Sequence, residues 1–139
     1  LLWTRETSMK IVEVAVGVIK AGNKIFISKR ADDLHQGGKW EFPGGKREVN
    51  ETIEESLARE LLEEIGIKVT QQSHLMLIEH DYGDKKVRLN VHLVEDFEGV
   101  ASQQEGQQSQ WVDINDLSQF TFPEANKVII EKLISLYNL

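Results

Sequence analysis

The longest apolar block comes first. From Lys10 to Ile19 the run KIVEVAVGVI is almost continuously apolar and β-branched, the pattern of a strand covered on both faces and placed centrally in a sheet. Ala21, Gly22 and Asn23 carry turn chemistry, and the alternating KIFIS of Lys24 to Ser28 is expected to pair back as a hairpin. Residues 29–39 read as a loop. Trp40 to Pro43 predicts a short strand running into Gly44 and Gly45, where the backbone can turn tightly or approach a ligand closely. Two further strands are expected near Leu75 to Tyr82 and Val87 to Val94, antiparallel neighbours across the turn at Gly83-Asp84. A polar loop, ASQQEGQQSQ, precedes a short strand from Gln110 to Ile114. The chain closes in an amphipathic helix from Glu124 to Tyr137, with Pro123 near its first turn.

Between these blocks the period changes to that of a helix. Residues 51–65 predict one with Asn50 as N-cap, acidic residues in its first turn and Gly66 as its stop. Ile53, Leu57, Leu61 and Ile65 form a core-facing stripe about 120° wide at ~100° per residue. The same projection brings Glu60, Glu63 and Glu64 to one border of that stripe. Glu60 and Glu64 are a like-charge pair at i,i+4, which destabilises a helix, and Glu63 and Glu64 sit where the helix dipole disfavours negative charge. A solvated acidic face is the ordinary reading of such a pattern. A hard divalent cation is the alternative, because it reverses the sign of every one of those terms.

Composition narrows the setting. With 139 residues there is room for one domain around a single core. The net charge of −7 argues against non-specific binding to nucleic acid or anionic membrane. The absence of cysteine excludes a disulfide framework and permits a cytoplasmic location. No apolar run approaches bilayer-spanning length. Residues 1–8 look unrelated to the rest of the chain, so Met9 reads as the natural start and residues 1–8 as upstream or vector-derived, with residues 9–139 as the domain.

GGKREVNETIEESLARELLEEIGI resembles the Nudix box: Gly, five residues, Glu, seven residues, Arg-Glu, an aliphatic, any residue, Glu-Glu, any residue, Gly, an aliphatic. Gly45, Glu51, Arg59, Glu60, Leu61, Glu63, Glu64, Gly66 and Ile67 meet it without departure. The resemblance implies an α/β Nudix fold, a mixed sheet sandwiched between helices. It implies a pyrophosphohydrolase that uses Mg2+, or Mn2+ in its place. Glu60, Glu63 and Glu64 would be metal ligands, Glu51 would support them, Arg59 would orient the carboxylates, and the Gly44 carbonyl would reach the metal. From the residues alone, Arg59 and Glu63 also make an ordinary i,i+4 surface pair.

Further matches, AVGVI, KRADDLH, KWEFPGGK, QEGQ and FPEANKVI, are similar to the MutT branch, which removes oxidised guanine nucleotides such as 8-oxo-dGTP from the precursor pool before they enter DNA. By that resemblance Asn126 would read the purine edge, since a carboxamide donates and accepts at once. Phe42 would line the base pocket, Arg30 and Lys39 would hold phosphate or nucleotide, and Glu105 would bring a further carboxylate to the metal. Phe42 reads equally as core, and Asn126 as a polar residue of a helical first turn. The small-molecule partner would be a nucleoside triphosphate, without direct contact to nucleic acid or membrane. Alternatives are another Nudix substrate (ADP-ribose, a dinucleoside polyphosphate or a generic nucleoside triphosphate) and a non-catalytic nucleotide-binding Nudix domain.

Overall fold

The computed structural model describes residues 10–31 and 37–137. The expected start at Met9, the extension before it and part of the 29–39 loop lie outside the described residues.

Strand β1 (Lys10–Ala21) is the axis of the sheet. It pairs antiparallel with β2 (Lys24–Lys29), as a hairpin, and with the short β4 (Gly44–Lys46). On its other side it runs parallel to β6 (Lys85–Glu98), in register from Lys10↔Lys85 to Ile19↔Val94. Strand β5 (Lys68–Asp81) pairs antiparallel with β6, while β3 (Trp40–Glu41) and β7 (Ser109–Asp113) both pair with β2. The sheet order β3-β2-β1-β6-β5 leaves β1 central, as its unbroken apolar run requires.

Successive residues of β1 serve two cores, because a strand turns alternate side chains to opposite faces. Ala15 and Ile19 pack with Leu57, Leu61 and Ile65 of helix α1 (Ile53–Ile65). Val16 and Val18 pack with Ile129 and Leu133 of helix α2 (Glu124–Tyr137). A mixed sheet between two helical layers results, with α1 over β1.

Three local expectations are corrected. The cap of α1 is Thr52, not Asn50: the Thr52 hydroxyl accepts from the Glu55 N–H (3.1 Å) and the Glu55 carboxylate accepts from the Thr52 N–H (2.9 Å). This reciprocal box satisfies two otherwise unpaired donors, while Asn50 takes a left-handed turn conformation at φ 72°. Gly44 and Gly45 do not form a tight turn but lie in β4, hydrogen-bonded to β1. Strands β5 and β6 each run to 14 residues, past the apolar stretches that mark them in the sequence. Polar residues are accommodated there individually: Gln71 is exposed, and the Gln72 amide donates to the Glu54 carbonyl of α1 (3.0 Å). A 3₁₀ turn over Ile114–Gln119 went unpredicted; Asp113 starts it by accepting from the Asn115 N–H (2.9 Å).

Candidate active site

Helix α1 lies across β1 with Leu57, Leu61 and Ile65 fully buried, and that packing decides where its carboxylates go. Glu60 and Glu64, one turn apart, face the strip of backbone formed by β4. A Cβ on Gly45 would stand 2.5 Å from the Glu60 carboxyl carbon, so only glycine lets the helix border come this close. A Cβ on Gly44 would stand 2.0 Å from the Ala15 carbonyl oxygen, which ties β4 to β1 in the same way. The Gly44 N–H donates to Glu64 (3.3 Å).

Arg59 fixes the other side of the acid cluster. Its guanidinium donates twice to Glu51, at 2.6 and 3.0 Å, and once to Glu60 at 2.8 Å. Contact with Glu63 is longer, 3.5 Å, and Glu63 is 61% exposed. The i,i+4 pair visible in the sequence is therefore the weaker partner, and the residue eight positions earlier is the stronger. Bidentate geometry favours Glu51, which the turn before Thr52 folds back onto the helix.

A cleft of about 200 Å3 opens beside this cluster, with Glu41, Glu60, Glu64, Glu105, Gly44 and Arg30 in its wall. Glu105 comes from the polar loop before β7, which is tied down where its N–H donates to the Gln103 side chain (2.9 Å), itself bonded to Ser28 of β2 (3.2 Å). Burial, aided by Glu41, Glu105 and Glu60, pushes the Glu64 carboxyl up to about 8 against the pull of the Gly44 N–H. Burial also raises Glu60, Arg59 opposing and Glu63 and Glu105 adding to it. Like charges crowded in a poorly solvated site produce both shifts.

These side chains do not close on one point: among the described residues, no three acidic or imidazole groups are arranged to hold a metal ion. Each is turned to the donor at hand, Glu60 to Arg59 and Glu64 to Gly44. The donor set nevertheless suits a hard divalent cation, being oxygen only and short of counter-charge at Glu64. Nudix hydrolases generally use such an ion.

A second cleft, about 220 Å3, continues from the first across Arg30, Glu41 and Gly44. Val14, Val16, Phe42 and Leu89 give it an apolar wall, and Arg30, Glu41, Lys46 and Asn126 supply polar groups. Phe42, only 5% exposed and stacked on Phe122 (ring centroids 5.1 Å apart), belongs to the core and also lines this cleft. That stacking and the Trp40 N–H to Thr121 carbonyl bond (2.8 Å) anchor the segment that delivers Asn126, in the first turn of α2.

Arg30 lies where the two clefts meet and donates to Glu41 (3.3 Å). Lys39 is not among the residues lining either cleft; its carbonyl accepts from the Arg30 N–H (2.8 Å). Glu63 is absent from the lining too. Glu41 and Lys46 are among the lining residues that went unassigned in the sequence. Glu41 borders both clefts, and burial raises its carboxyl although Arg30 opposes the shift. Lys46 lines the apolar cleft. Both stand inside KWEFPGGK, where strand alternation opposite Trp40 and Phe42 was the available signal for Glu41.

Comparison with known proteins gives the family. Residues 14–132 match the NUDIX domain family. The chain is 42% identical over 126 residues to the 8-oxo-dGTP diphosphatase of Escherichia coli strain K12, covering 90% of this chain and 98% of that one. It is 30% identical to the CTP pyrophosphohydrolase of the same organism, over 92% and 95% of the two chains. A solved structure from work on MutT of Aliivibrio salmonicida and Vibrio cholerae superposes with a TM-score of 0.83 at 40% identity, covering 92% of this chain and all of that one. This chain belongs to the Nudix hydrolase family, in its MutT-like branch.

Proposed function

We propose that this enzyme hydrolyses 8-oxo-dGTP to the monophosphate and pyrophosphate, keeping the oxidised nucleotide out of DNA. The observation that carries the reading is the continuity of the two clefts: an apolar half bearing Asn126 opens through Arg30 and Gly44 onto the half bearing Glu60 and Glu64. A nucleotide with its base in the first half extends its phosphates into the second.

In this reading Glu60, Glu64, Glu105 and the Gly44 carbonyl would hold Mg2+, with Mn2+ as a substitute, and Glu63 would turn in from outside the cleft lining to join them. The bound ion would screen the phosphates and lower the pKa of a water. Arg59 keeps Glu60 oriented while Glu51 holds Arg59. Arg30 meets phosphate oxygens at the junction, and Phe42 gives the base an apolar wall. Asn126 presents a donor and an acceptor together, which suits the altered edge of an oxidised guanine. Water attacks the β-phosphorus, the bond to the α–β bridging oxygen breaks, and the monophosphate leaves with that oxygen. The water oxygen therefore ends in pyrophosphate, and recovery of isotope from labelled water in the monophosphate instead would refute this course.

One observation supports a second reading, the 30% identity to a CTP pyrophosphohydrolase. A magnesium-dependent panel of 8-oxo-dGTP, dGTP, CTP, ADP-ribose and a dinucleoside polyphosphate, scored for product release, separates the two. We expect 8-oxo-dGTP to have the highest kcat/KM; CTP in first place would favour the second reading. Asn126→Ala is expected to cut the preference for 8-oxo-dGTP over dGTP about tenfold or more, the cost of an unpaired polar edge. An unchanged preference would remove Asn126 from the base pocket.

A further inference from the structure

The groove continues past the carboxylates. Beyond them lies an outer pocket of about 350 Å3, with Lys29, Arg30, Gln107 and Glu105 in its wall. It shares Lys29, Arg30, Ala31, Glu105 and Gln107 with the carboxylate cleft, but only Arg30 with the apolar cleft. The three compartments are therefore strung in order: apolar half, carboxylates, outer pocket. A ligand with its base at Asn126 and its reacting diphosphate at Glu60 and Glu64 has its terminal phosphate directed to the third.

The lining suits that group. Lys29 ends β2 and faces both the carboxylate cleft and the outer pocket, and it makes no ion pair among the described residues. The Gln107 carboxamide also borders both, and its oxygen is buried without a hydrogen-bond partner. That amide has no bond to lose at the oxygen when it turns toward a ligand, and its NH2 can serve a phosphate oxygen. The wall is built before any ligand arrives, since the Lys29 N–H donates to the Gln108 carbonyl (2.8 Å) and Ser28 pairs with Ser109. Among the described residues lining this pocket Glu105 is the one acid, and in company with the magnesium it is proposed to help hold, its charge does not oppose an anion.

We propose that this outer pocket is a terminal-phosphate subsite in which Lys29, assisted by the Gln107 carboxamide, makes the enzyme prefer a nucleoside triphosphate to the corresponding diphosphate. The inference rests on the groove assignment of the preceding section, and the same subsite would hold the pyrophosphate product before release.

Two measurements test it. Calorimetric titration with inorganic pyrophosphate and magnesium is expected to show about tenfold weaker binding to Lys29→Ala, the loss of one charge-assisted contact, with recovery in Lys29→Arg. Gln107→Glu, which adds a negative charge to the wall, should weaken pyrophosphate more than Gln107→Ala does. In kinetics, Lys29→Ala should lower the ratio of kcat/KM for 8-oxo-dGTP over 8-oxo-dGDP by a similar factor, through KM. Wild-type pyrophosphate affinity in Lys29→Ala, or an equal loss with both nucleotides, would overturn the subsite. Should the wild type hydrolyse no nucleoside triphosphate, the parent reading fails, and the pyrophosphate titration still decides the pocket.

Discussion

Single residues at the site act through how closely they let others approach. Gly44 and Gly45 are neighbours, yet a methyl group added to each meets a different obstacle. At Gly45 it meets the Glu60 carboxyl group, the far end of a flexible side chain; at Gly44 it meets the main chain of Ala15. Gly45→Ala should therefore leave the melting temperature within a few degrees while displacing Glu60 and lowering kcat by about tenfold or more, the scale of a small misplacement at a reacting centre. Gly44→Ala should destabilise the fold by about 2 kcal/mol or more, because backbone cannot step aside. Thermal melts alongside steady-state kinetics read both, and a large drop in Tm for Gly45→Ala would show that its closeness to Glu60 serves packing instead. The same pair shows what a sequence makes legible. Two glycines before an acidic helix are visible to inspection, but which atoms each accommodates is not.

The Nudix helix adds a level at which residues depend on one another. Arg59 is held chiefly by Glu51, and its guanidinium draws the Glu51 carboxyl from the usual value near 4.5 down to about 2, with help from the Glu48 N–H. A depressed carboxyl stabilises the folded state above its unfolded pKa, and that stability is lost as pH falls through the folded one. Urea denaturation should thus find Glu51→Gln less stable than wild type at neutral pH, with the gap closing between about pH 4.5 and 2. A gap that stays constant down to pH 2 would mean that Glu51 acts through shape alone. The acidic border of this helix was legible from its 3.6-residue period, and Leu57, Leu61 and Ile65 lie buried where that period puts them. The cap was not, since Asn50 and Thr52 are both good N-cap types and only the reciprocal bond to Glu55 selects Thr52.

At the scale of the whole molecule, two cores on opposite faces of β1 bring stretches far apart in the chain to one groove, among them β3 to α1, the loop before β7 and the start of α2. The cost of that convergence is concentrated at Glu64, part-buried beside Glu41, Glu60 and Glu105. Removing its charge should relieve the fold and disable the enzyme together. Glu64→Gln is expected to melt higher than wild type in EDTA at pH 7.5, to gain less from added magnesium, and to lose orders of magnitude in rate. A wild-type magnesium response and rate in that variant would exclude Glu64 as a ligand. The sequence by itself determined the period of the long strands and of both α-helices, the central place of β1 and, through the spacing of nine box positions, the family, because these depend on near neighbours along the chain. Only the tertiary structure decided that Glu51 is the main partner of Arg59, that Phe42 is core and cleft wall at once, and that Glu41 and Lys46 line the groove while Lys39 does not. Those outcomes depend on contacts between segments far apart in sequence. Which of several chemically suitable partners lies within reach is settled by how the sheet and helices pack.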